Sequence, residues 1–90
     1  MLEARVKIVN PLGLHARAAA QLVRLAGAYK SRILLKRLDS AVTADAKSIL
    51  NVLTLAASRG TELDVEIEGP DETAALEAIT NIFTEGFGEI

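Results

Sequence analysis

The stretch TELDVEIEGPDETAALEAITNIF, residues 61–83, changes its hydrophobic period halfway along. Leu63, Val65 and Ile67 alternate with Glu62, Asp64, Glu66 and Glu68, the pattern of a strand with one buried and one wet face. Beyond Gly69 the period lengthens. Leu76, Ile79 and Phe83, with Ala75 and Ile82 alongside, mark the buried stripe of a helix. Pro70 suits a first helical turn, and Asp71 and Glu72 put negative charge at the positive end of the helix.

Working outward, the same two periods recur. Ser48 opens a helical pattern containing Ile49, Leu50, Val52, Leu53, Leu55, Ala56 and Ala57, which Gly60 is placed to end. SRILLKRL (31–38) reads as a strand, and DSAVTADA (39–46) as a turn with a short strand around Val42 and Thr43. At the start, Leu2, Ala4, Val6 and Ile8 alternate with Glu3, Arg5 and Lys7 until Asn10-Pro11-Leu12-Gly13 breaks the strand. From Ala16 a helical stripe of Ala19, Leu22, Val23 and Ala26 lies opposite Arg17, Gln21 and Arg24, with Gly27 near its end. The order is βαββαβα. It predicts an α+β fold, a mainly antiparallel sheet with helices on one face, in a single domain over residues 1–90.

Composition narrows the function. Half of the ninety residues are apolar, yet Tyr29, Phe83 and Phe87 are the only aromatics, so the core is aliphatic. There is no cysteine, hence no disulfide framework and no thiolate metal site. The N-terminus alternates charge with apolarity, unlike a signal peptide, and no apolar run approaches the ~20 residues of a membrane span. A net charge of −2 argues against broad nucleic-acid binding, and the strands lack the exposed aromatics that stack bases. The expectation is a soluble cytoplasmic protein with no direct membrane contact.

The catalytic inventory is thin. One histidine cannot build a multi-histidine metal site, and neither a Gly-x-Ser-x-Gly elbow nor a Gly-x-x-x-x-Gly-Lys phosphate loop is present, so no metal or cofactor is expected. What remains is His15 where the first helix starts, with Arg17 two residues on. Unpaired backbone N–H groups at a helix start attract anions, and a guanidinium recognises phosphate with paired donors. The arrangement suits transient phosphoryl carriage. By spacing alone, a lone histidine at a helix start is more often a cap or surface residue, an arginine like Arg17 more often a solvated charge, and Ser48 a helix cap.

GLHARAAAQLV (13–23) and AKSILNVLTLAASRGTELDVEIEGPDE (46–72) together resemble the histidine-containing phosphocarrier protein (HPr) family of the bacterial phosphotransferase system, and the resemblance spans nearly the whole chain. It implies an open-faced β-sandwich, four antiparallel strands with three helices on one side. It implies a carrier, not an enzyme: His15 would accept a phosphoryl group at Nδ1 from enzyme I, charged by phosphoenolpyruvate, and pass it to an enzyme IIA component. Arg17 matches the family's active-site arginine. Ser48 matches its regulatory serine, the target of an HPr kinase/phosphorylase, and Ile49, Leu50 and Leu53 match its docking patch. A carrier that exposes His15 to successive partners is expected to be a monomer.

Three features depart from the family pattern. Ala18 stands where proline is usual; alanine is a strong helix former, so the chemistry is expected to survive. KRLDSAVTADA (36–46) lacks the common Asn-Gly turn. The ending NIFTEGFGEI resembles the nitrogen-related branch of the family, whereas AKSIL resembles the kinase-regulated sugar branch. The rival reading is a regulatory module that binds an enzyme or transcription regulator through the Ser48/Ile49/Leu50 surface.

Overall fold

The computed structural model describes residues 1–89. In chain order it contains β1 (Leu2–Lys7), α1 (Ala16–Gly27), β2 (Arg32–Arg37), β3 (Thr43–Asp45), α2 (Ile49–Thr54), β4 (Glu62–Glu68) and α3 (Glu72–Thr84), followed by a 3-10 turn at Gly86–Gly88. The strands form one four-stranded antiparallel sheet in the order β1-β4-β2-β3. The fold is the expected open-faced α+β sandwich. None of the described helices is long and apolar enough to cross a membrane.

Strand β4, read first from the sequence, is central. Its inward residues Leu63, Val65 and Ile67 are fully buried, facing a core that takes Ala18, Ala19, Leu22 and Ala26 from α1, Val52 from α2, and Ala75, Ile79 and Phe83 from α3. Its outward residues are acidic, and the flanking strands answer them with bases. Asp64 lies opposite Arg5 on one side and Lys36 on the other, Glu62 opposite Lys7, and Glu68 opposite Arg32. Opposite charges directly across a ladder favour this register over a slipped one. Glu3 opposite Glu66 is a like-charged exception.

Helix α2 is shorter than the apolar pattern predicts: it stops at Thr54, well before Gly60. The carbonyl of its capping residue, Leu55, finds a partner outside the helix. Arg37 donates from Nη1 to the Leu55 carbonyl at 2.7 Å, and its other nitrogens are held in a fork by both Asp39 carboxylate oxygens, each at 2.8 Å. Ala56 then takes a φ of 48°, which reverses the chain and buries Leu55 and Ala57 instead of continuing the helix. Val52 is core, as its place in the stripe suggests, whereas Ala56 is exposed. Two further boundaries shift. Val42 precedes β3 and stays partly exposed because the ladder pairs only Thr43–Asp45 with Leu34–Lys36. Pro70 lies before the N-cap, Asp71, and outside the helix.

Asp71 fastens two connections together. Its carboxylate accepts hydrogen bonds from the Lys30 N–H at 2.8 Å, from the Ser31 N–H at 2.9 Å and from the Ser31 hydroxyl, tying the α1–β2 corner to the start of α3. The Ser31 hydroxyl, then the Lys30 N–H, hold its carboxyl below the ordinary aspartate range.

The turn between β1 and α1 is pinned just as closely. The Leu14 N–H donates to the Ala57 carbonyl at 2.8 Å, and the Gly13 N–H to the Asn10 carbonyl at 3.2 Å. Gly13 has a φ of +67°, and a Cβ there would lie 2.5 Å from the Ala57 carbonyl oxygen. Glycine is therefore required twice, for its backbone conformation and for the close approach of two backbones. At the other end, Gly86, Phe87 and Gly88 take φ values of 62°, 55° and 77° in succession. This left-handed run seats the Phe87 ring edge-on against Phe83, with centroids 5.2 Å apart, and sends Glu89 back toward the start of α1.

Two outcomes follow from these contacts. A carboxyl held low in the folded state contributes stability that is complete above its unfolded pKa and lost as pH falls through the folded value. Asp71→Asn should therefore lower stability at neutral pH, with the gap to wild type narrowing on acidification below the ordinary aspartate range in urea unfolding at several pH values. Gly13→Ala should cost about 1–3 kcal/mol in the same assay.

Candidate functional site

His15 occupies the N-cap position of α1 with extended backbone, but its ring makes no cap hydrogen bond. Its carbonyl accepts the first helical bond, from the Ala19 N–H at 2.8 Å. The N–H groups of Ala16, Arg17 and Ala18 thus have no partner one turn back in the helix. The ring turns instead to the C-terminal segment, where His15 Nε2 is hydrogen-bonded to Glu89 Oε2. The other Glu89 oxygen accepts from Asn10 Nδ2 at 3.0 Å, and the same amide nitrogen donates to the Gly13 carbonyl at 2.8 Å. Both partners of Asn10 Nδ2 are acceptors, so the orientation of this buried amide is fixed by its surroundings.

Glu89 is ionised at neutral pH. Hydrogen bonds from Asn10 and then His15, helped by the nearby positive charge of Arg17, hold its carboxyl below the ordinary glutamate range. His15, Arg17 and Glu89 line an open hollow of about 560 Å³ together with Pro11, Leu12 and Gly88. An imidazole nitrogen, a guanidinium and a helix start therefore border one solvent-accessible space. Such a set can bind a small anion and offer it a nitrogen nucleophile. Ala18, the residue in the usual proline position, is the third residue of α1 and fully buried.

The second group of sequence candidates lies on α2, which packs against α1. Ser48 is its N-cap, with the hydroxyl accepting from the Asn51 N–H at 3.4 Å. Ile49, Leu50 and Leu53 stay 39, 73 and 37% exposed, and Leu12, on the rim of the His15 hollow, is 69% exposed. The chain leaving α2 is the segment that braces the turn before His15. The sequence reading picked out neither Asn10 nor Glu89. In the sequence Asn10 reads only as part of the Asn-Pro-Leu-Gly break after the first strand, and Glu89, 74 residues beyond His15, carries no local signal.

Comparisons with known proteins agree with this architecture. A family model described as "PTS HPr component phosphorylation site" matches residues 2–85. A phosphocarrier protein HPr of Cupriavidus necator is 44% identical over 99% of this chain and 98% of its own length. A phosphocarrier protein NPr of Escherichia coli is 38% identical over 93% of this chain and 92% of its own. Among solved structures, HPr from Thermoanaerobacter tengcongensis superposes with a TM-score of 0.92 at 34% identity, covering 100% of this chain and 99% of that one. With the fold, its element order and nearly its full length shared in this way, the chain belongs to the HPr family of phosphocarrier proteins of the phosphotransferase system.

Proposed function

We propose that the chain carries a phosphoryl group on Nδ1 of His15, received from phosphorylated enzyme I and passed to an enzyme IIA component. The observation that carries the reading is the placement of the His15 ring: at a helix start, free of any capping duty, and on an open hollow shared with Arg17. In the forward step the Nδ1 lone pair attacks phosphorus, the donor's bond to phosphorus breaks, and that electron pair leaves with the donor. Arg17 then neutralises phosphoryl oxygens, and the N–H groups of Ala16, Arg17 and Ala18, which have no partner within the helix, supply further donors. Chemistry of this kind needs no cofactor and turns over no small molecule by itself. A monomer in the cytoplasm fits the need to present one histidine to successive partners.

The exposed aliphatic surface of α2 supports a docking role for Ile49, Leu50 and Leu53 in both exchanges. Ser48 borders that surface and is the proposed regulatory site, modified by an HPr kinase/phosphorylase. A phosphate there adds about −1.5 to −2 charges at neutral pH, which opposes docking of an acidic partner and offers a transcription regulator a new contact. Its place at the helix N-cap makes local unfolding unnecessary.

Incubation with phosphoenolpyruvate and a cognate enzyme I should give an acid-labile, base-stable label that disappears in His15→Ala. Arg17→Ala should retain the label but acquire it about ten- to a hundredfold more slowly, the loss of about 1.4–3 kcal/mol of charge-assisted contact. No label with a competent enzyme I would refute carriage. Phospho-Ser48 protein should accept the group from enzyme I more slowly than the unmodified chain, and equal rates would remove the proposed block.

A further inference from the structure

The contacts around Glu89 fix which His15 ring nitrogen carries a proton. An ionised carboxylate accepts hydrogen bonds and donates none, so the His15 nitrogen that meets it must carry the proton. That nitrogen is Nε2. In a neutral imidazole the other nitrogen then holds a bare lone pair. Asn10 fixes the carboxylate from its far oxygen, and the left-handed turn at Gly86–Gly88 brings Glu89 to this position. We propose that Glu89 is a positioning residue that sets the His15 tautomer, holding the proton on Nε2 so that Nδ1 is the nucleophile. The proposal rests on the phosphocarrier reading for its purpose, though not for its test.

The consequence runs through the transfer. When Nδ1 forms its bond to phosphorus, the Nε2 proton stays in place and the ring gains positive charge. The Glu89 carboxylate already faces that charge, so no proton has to leave and no group has to reorient. Arg17 is the other charged side chain lining the hollow; Pro11, Leu12 and Gly88 contribute none. The guanidinium is thus available to the phosphoryl oxygens while the carboxylate attends to the ring.

Glu89→Gln makes a sharp test because Asn10 constrains which way the new amide turns. Its oxygen must receive the Asn10 N–H, which points the NH₂ group at His15 Nε2. A donor there demands a lone pair on Nε2 and drives the proton to Nδ1. With ¹⁵N-labelled histidine at mildly alkaline pH, long-range proton–nitrogen correlation should show the Nε2–H tautomer in wild type and a shift toward Nδ1–H in Glu89→Gln. Phosphorylation from enzyme I should slow by about tenfold or more in that variant. Glu89→Ala, which loses the acceptor without adding a donor, should keep more of the Nε2–H form and react faster than Glu89→Gln. A Glu89→Gln spectrum with the wild-type tautomer, or a rate equal to that of Glu89→Ala, would overturn the proposal. The nitrogen spectrum needs no phosphotransfer, so a wild-type chain that fails to take up phosphate refutes carriage and leaves the role of Glu89 to be judged separately.

Discussion

The buried Asn10 amide ties together the two ends of the chain at the site. One nitrogen donates to the Gly13 carbonyl and to the Glu89 carboxylate, so the turn before α1 and the segment after α3 are held by a single group. The His15 ring is suspended between them. Its backbone belongs to the turn and the helix, while its Nε2 belongs to Glu89. Desolvating an amide is costly unless its donors are used, and here they are. Its carbonyl oxygen has no protein partner among the described residues.

The rest of the fold keeps this arrangement in register. Gly13 lets the turn sit directly on the Ala57 carbonyl, and that carbonyl is where it is because α2 stops early. Where the helix stops, Arg37 donates to the carbonyl of its capping residue, Leu55. The sheet beneath fixes Arg37 through its pairing with β4 and the fork of Asp39. Charge complementarity on the open sheet face serves the ladder, which accounts for Glu62, Asp64 and Glu68 of β4. At the other end, Phe87 packs on Phe83 and so anchors the approach of Glu89. Core packing therefore reaches the site by two routes, one through α2 and one through the C-terminal turn.

Much of this was legible in the residues themselves. The alternation of Leu63, Val65 and Ile67 marks a strand that the structure places at the centre of the sheet. His15 and Arg17 at a helix start, by contrast, are a weak signal by spacing alone and stand out only through the resemblance to the phosphocarrier family. Local patterns report local periodicity, and so they misjudged α2. Leu55, Ala56 and Ala57 continue an apolar helical stripe, but their conformation is set by a guanidinium from β2 and by a turn forty residues upstream, roughly, in the chain. Glu89 was invisible for a related reason. It is one of twelve acidic residues, and nothing near it in sequence distinguishes it from a solvated one. Its partner is chosen by three left-handed residues and a core phenylalanine.

In the proposed carriage the reactive atom of His15 is decided by its neighbours: Glu89 holds Nε2, while Arg17 and the start of α1 border the open hollow. The most direct measurement is the position of phosphorus on the ring. Protein labelled with ¹⁵N-histidine and phosphorylated by enzyme I should show phosphorus coupled to Nδ1, with Nε2 still bearing its proton. Phosphorus coupled to Nε2 would contradict the account, because that atom is the one Glu89 occupies.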